Sequence, residues 1–159
     1  MWPRSSLPAL LSGAGISITV SEPGWHAAVP SVDVVVRRAA RAALAATRAR
    51  GRLNVLLADD ATLAELNAAF RGKASPTNVL SWPRRDGGGD IAVAYQRATR
   101  EARATRRPLA DHLAHLVVHG ALHCAGRDHA DEREARRMER EEALVLRRLG
   151  LPDPYRRRR

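Results

Sequence analysis

The stretch His119-Gly120-Ala121-Leu122-His123-Cys124-Ala125-Gly126-Arg127-Asp128-His129 constrains this chain more than any other. Residues four apart share one face of a helix, so His119 and His123 can aim their ring nitrogens at a common centre. Gly126 follows soon after, and glycine is the residue type that lets a helix end and the chain turn back. The turn would return His129 as a third donor. Three nitrogen ligands with one open position make a catalytic zinc site rather than a closed structural one. A lone histidine in a helix is ordinary packing. Three at this spacing predict one bound divalent metal, with Zn²⁺ the expected ion.

The helix that carries them is expected to run from Pro108 to Ala125. Leu113, Leu116, Val117, Val118 and Leu122 fall nearly all around its axis, which is the mark of a buried central helix. His112, His115, His119 and His123 nevertheless share one narrow stripe, so the core helix should turn a single polar line toward a cleft. His115, one turn before His119, could relay a proton or orient a ligand; alone it would be a satisfied core histidine. Cys124 points away from His123 and is expected in the core.

Around this helix the chain alternates element types. Short β-branched and apolar runs predict strands at Ile16–Val20, Leu53–Leu57, Val79–Trp82 and Ile91–Tyr95. Helices are expected at Val32–Ala49 with Ser31 as N-cap, at Thr62–Phe70 capped by Asp59 or Asp60, and at Asp131–Leu149. The last has acidic residues in its first turn and Arg147-Arg148 in its last, as the helix dipole favours; its charges read as a solvated face. Asp86-Gly87-Gly88-Gly89 is a connector, because it precedes a strand and no Walker lysine is near. The fold class is α/β with α+β character: a mixed sheet of about four strands packed with helices.

At 159 residues the chain fits one domain with a real core. Residues 15–153 are taken as that domain, residues 1–14 as a disordered extension and residues 154–159 as a basic tail. Lys+Arg 27 against Asp+Glu 17 gives a net charge of +10, a balance that favours a polyanionic partner, nucleic acid before membrane. Lys73 is the only lysine, so genome composition also accounts for part of the arginine excess. One cysteine excludes an internal disulfide and fits a cytoplasmic location. No run of about 20 apolar residues predicts a membrane span.

The histidine spacing also occurs in the metzincin peptidases, H-E-x-x-H-x-x-G-x-x-H. There the residue after the first histidine is the glutamate that acts as general base; here it is Gly120. A peptidase is therefore the weaker reading. The closer resemblance is to the YbeY-type endoribonucleases of bacterial ribosomal RNA maturation. It rests on two blocks, His115 through His123 with Gly126, Asp128 and His129, and an upstream series of Leu66-Asn67, Phe70-Arg71, Pro76-Thr77-Asn78-Val79-Leu80-Ser81-Trp82-Pro83 and Gly89-Asp90-Ile91. The likeness covers roughly residues 16 to 155. Cys124, Arg127 and Trp82 stand where the family usually has leucine, tyrosine and phenylalanine; none of the three removes a ligand.

The resemblance implies a metal-dependent, single-strand-specific endoribonuclease. It would act on ribosomal RNA at the small ribosomal subunit and its associated proteins, in 16S 3′ maturation and in ribosome quality control. A zinc ion on neutral His119, His123 and His129 lowers the pKa of its water from about 15.7 to roughly 7 and polarises a phosphoryl oxygen. Arg71, in the block like the family's arginine-bearing segment, is the candidate to meet developing phosphoryl charge with its fork. Thr77, Asn78 and Ser81 are candidates to hydrogen-bond substrate or ligand-supporting groups, or else cap the turn entering a strand. Asp128 is the candidate acceptor for a ligand histidine N–H, and Asp90 could serve likewise or end a loop. The other class of reading is a ribosome-assembly RNA-binding protein whose metal is mainly structural.

Overall fold

The computed structural model describes residues 15–72 and 77–156. The extension expected at 1–14 lies outside the described residues, as do Arg157, Arg158 and Arg159 of the basic tail. The elements are β1 (Ile16–Val20), α1 (Gly24–Ala28), α2 (Val32–Thr47), β2 (Leu53–Ala58), α3 (Asp60–Arg71), β3 (Val79–Pro83), β4 (Gly89–Ala94), α4 (Tyr95–Ala104), α5 (Leu109–Cys124) and α6 (Glu132–Arg148).

They build the expected mixed sheet, four strands in the order β1-β2-β4-β3. β1, β2 and β4 run parallel, and β3 pairs antiparallel with β4 at the edge. Strand period 2 divides the side chains cleanly between two faces. Leu53, Val55, Leu57, Ile91 and Val93 face the main core with α2, α5 and α6, whereas Ala58, Ala92, Ala94 and Leu80 face a smaller layer under Leu63 of α3. Ser81 of β3 lies opposite Ile91 and so belongs to the α5 side of the sheet.

Helix α5 lies very close to this sheet, and two glycines permit it. A Cβ on Gly120 would come 2.9 Å from Ile91 Cγ2, and one on Gly89 would come 2.5 Å from Cys124 Sγ. Cys124 is buried in the core, and burial with the neighbouring Asp90 charge pushes its thiol up to about 12. Trp25 is fully buried beside the sheet and donates from Nε1 to the Ala58 carbonyl at 3.1 Å.

Several local expectations change. Tyr95 begins a helix instead of ending a strand: Asp60 Oδ1 accepts from Arg97 N at 2.9 Å and captures the first turn of α4. That helix buries only Ala98 and Ala102, a stripe too thin to show as periodicity. Helix α1 is one short turn around Trp25, below the length at which a period is visible. Ser31 is not a side-chain cap; it sits at φ 58 and offers only its carbonyl to Val34 and Val35. Asp59 is the cap of α3, accepting from Thr62 N at 2.8 Å. Among the described residues no helix is long and apolar enough to cross a membrane.

Candidate metal centre

Helix α5 ends as its sequence demands. Gly126 adopts φ +92 and donates to the His123 carbonyl, while Arg127 N donates to the Leu122 carbonyl. These paired bonds form a Schellman motif, which only a residue tolerant of positive φ closes without strain. The reversal carries the chain back so that one ring nitrogen from each of His119, His123 and His129 lies within 4.8 Å of the other two.

Two of the three rings are held from behind. His119 Nδ1 donates to the carboxylate of Glu142 on α6, and His123 Nδ1 donates to the Arg127 carbonyl at 2.9 Å. Each bond fixes the tautomer that leaves Nε2 with its lone pair, the form a metal takes. Burial and the neighbouring imidazoles of His119 and His129 draw His123 down to about 4, against the pull of the Arg127 carbonyl and Asp128. The ring is therefore neutral near pH 7. A cluster of mutually close imidazoles with converging ring nitrogens suits a divalent cation of the zinc type.

Glu142 is the residue that sequence reasoning missed. It is 0% exposed, and its carboxylate accepts from His119, from His115 Nε2 at 3.0 Å and from the Tyr155 hydroxyl. Burial alone would raise this carboxyl, but the bonds from His115, His119 and Tyr155 outweigh it and hold the group near 2. Tyr155 is pushed well above its ordinary value by burial and by Glu142. Its segment is anchored by Arg107 Nη2, which donates to the Pro154 carbonyl at 2.7 Å. Asp128, expected to receive a ligand N–H, instead accepts from the backbone of His129 at 2.7 Å. Asp90 is bonded to Asn54 and Arg84, away from the histidines.

The three histidines open into a cleft of about 590 Å³ that is also lined by Arg71, Thr77, Asn78 and Ser81. Arg71 leaves the end of α3, reaches over the edge strand and donates from Nη2 to the Ser81 carbonyl at 2.7 Å. Thr77 Oγ1 donates to the Val79 carbonyl at 3.1 Å. The Asn78 amide is committed to Glu101, at 3.0 Å to Oε2, and the same oxygen meets His112 Nε2 at 2.9 Å. His115 does not line the cleft; it is packed between Glu142 and the edge of the Tyr155 ring. Gly120, the position of the peptidase glutamate, faces Ile91 of the sheet and not the cleft.

A family model described as Endoribonuclease YbeY matches residues 26–150. A Gluconobacter oxydans (strain 621H) protein named Endoribonuclease YbeY is 45% identical over 152 residues, covering 90% of this chain and 89% of its own. Its namesake in Rhodopseudomonas palustris (strain BisB5) is 41% identical over 155 residues, covering 87% and 80%. The solution structure of TM1509 from Thermotoga maritima is similar with a TM-score of 0.53 at 23% identity, covering 89% of this chain and 99% of that one. At that identity the likeness concerns the fold alone.

Proposed function

The chain belongs to the Endoribonuclease YbeY family, and on that premise we propose that it is a zinc-dependent, single-strand-specific endoribonuclease of ribosomal RNA maturation. Its domain spans residues 15–153. Its site of action is the cytoplasm, with no membrane involved, at the 3′ end of 16S RNA on the small ribosomal subunit and its associated proteins. Ribosome quality control is the wider setting. The observation that carries this reading is one cleft joining three convergent imidazoles to an arginine that spans the sheet edge.

His119, His123 and His129 are the residues that would hold the ion. When bound, it supplies Lewis acidity toward a phosphoryl oxygen and a water of lowered pKa. Arg71 keeps one nitrogen on Ser81 and turns the rest of its fork to the non-bridging oxygens, where negative charge gathers in the transition state. Thr77, Asn78 and Ser81 form the substrate wall, with Asn78 held in place by Glu101. His115 acts through Glu142, which it helps to keep aligned on His119.

Single-turnover cleavage of a single-stranded ribosomal RNA fragment tests the reading. Arg71→Ala should slow cleavage by about 10² or more, the effect of removing one oxyanion donor, with metal content unchanged. Arg71→Lys should recover part of the rate, because an ammonium keeps the charge and loses the planar fork. Full activity in Arg71→Ala, or equal cutting of a duplex, contradicts the proposal. RNA that is bound and never cut favours the assembly protein, and hydrolysis of casein favours the peptidase.

A further inference from the structure

Among the described residues β3 is the last strand of the sheet, so one of its edges has no strand of these residues beside it. Backbone bonds from Ala94 N to the Asn78 carbonyl and from Arg84 N to the Gly88 carbonyl fix which of its residues face β4. The alternation of an antiparallel ladder then turns the backbone groups of Val79, Ser81 and Pro83 to the open side. That edge is a wall of the cleft: all three residues line it together with the histidines.

The edge is chemically one-sided. The outward carbonyl of Val79 is taken by the Thr77 hydroxyl at 3.1 Å, and that of Ser81 by Arg71 Nη2 at 2.7 Å. The amides of Val79 and Ser81 face the cleft with no acceptor among the described residues. Pro83, next in the alternation, has no N–H to offer. A peptide strand added to a sheet edge needs donors and acceptors in turn, and this edge presents donors at a step of about 6.8 Å. Its complement is a ligand of acceptors alone, repeated at a similar step along an extended chain. A single-stranded phosphodiester backbone has that character, and Arg71 and Arg127 in the same cleft add the matching charge.

We propose that the open edge of β3 is a binding edge for the RNA backbone, in which the N–H groups of Val79 and Ser81 donate to non-bridging oxygens of successive phosphodiesters. The capping of the Val79 and Ser81 carbonyls is what turns the edge from peptide to RNA. This assignment rests on the endoribonuclease reading above and specifies how that site holds its substrate.

Ser81→Pro and Val79→Pro delete one outward donor each and leave the bonds to β4 intact, since proline is tolerated at such edge positions, as Pro83 already is in this strand. Affinity of the full chain is read by anisotropy with a labelled single-stranded 2′-O-methyl oligonucleotide, alongside metal content and thermal unfolding. Each variant should bind about tenfold more weakly, the loss of one hydrogen bond to a charged group. An oligonucleotide with one methylphosphonate at the matched linkage should lose affinity for wild type and lose little more for Ser81→Pro. If a proline variant does not fold, replacing the residue 81 amide by an ester removes the N–H alone and should give the same drop. Folded variants that bind like wild type overturn the proposal, as does an extended peptide that displaces the oligonucleotide. Wild-type protein that neither binds nor cuts RNA would instead overturn the endoribonuclease reading.

Discussion

Glu142 and His119, 23 positions apart in the chain, are joined by a hydrogen bond from the imidazole Nδ1 to a carboxylate with no exposed surface. The bond ties α6 to the histidine stripe of α5. A carboxylate behind a ligand imidazole raises its basicity and fixes its orientation.

Replacing Glu142 should therefore act on stability and on the metal together. Glu142→Ala would leave the donors on His119, His115 and Tyr155 without their shared acceptor and should cost about 3 kcal/mol in a denaturant titration. Glu142→Gln keeps the shape and should fold, with metal affinity down about 10–100-fold in competition with a chelator. Unchanged affinity in Glu142→Gln would mean that His119 is positioned without it.

Gly120 supports a second prediction. Its Cβ position is 2.9 Å from Ile91 Cγ2, so Gly120→Ala should overpack the α5–sheet contact and cost about 1–3 kcal/mol while one metal per chain is retained. Gly120→Glu would drive a charge into the same contact and should fail to fold, and it should gain no peptidase activity. A stable Gly120→Glu variant that cut casein would show that position 120 can reach the cleft after all.

These two residues mark the limits of what could be read in the sequence. The histidine spacing and Gly126 were enough to foresee a convergent triad, because helix periodicity and a left-handed exit are local properties. Glu142 sits in a run of glutamates and arginines, where composition reads as a solvated face. A signal was nonetheless present: Met138, Glu142, Val145 and Leu146 recur at helical spacing and are all buried, so one carboxylate lies on the apolar stripe. Tyr155 was hidden in a stretch taken for a basic tail, and its contact with Glu142 depends on the Arg107 anchor far away in the chain. Helix α4 escaped because alanines alone form its buried face.

The pair Glu101 and His112 gives stability a pH dependence of defined sign. Burial, opposed in part by Glu101, lowers His112 from its ordinary 6.5, so the unfolded chain takes up that proton first. Its contribution is complete above pH 6.5 and is lost as pH falls toward the folded value. Burial would raise Glu101, but bonds from Asn78 and His112 and the charges of His112 and Arg97 leave it below its ordinary 4.5. Its contribution is complete above 4.5 and fades below. Unfolding free energy should thus decline from near pH 6.5 downward and steepen below 4.5. Glu101→Gln should be less stable at pH 7 and have a shallower acid limb; parallel curves for the two proteins would remove Glu101 as the source.

Metal content and single-stranded RNA cleavage, measured on one purified preparation of wild type and of His123→Ala, test the central claim most directly. Wild type should carry one divalent ion per chain and cut the strand, and His123→Ala should fall to background in both. Equal metal in the two proteins, or undiminished cleavage by a metal-free His123→Ala, would contradict a nuclease centre built on His119, His123 and His129.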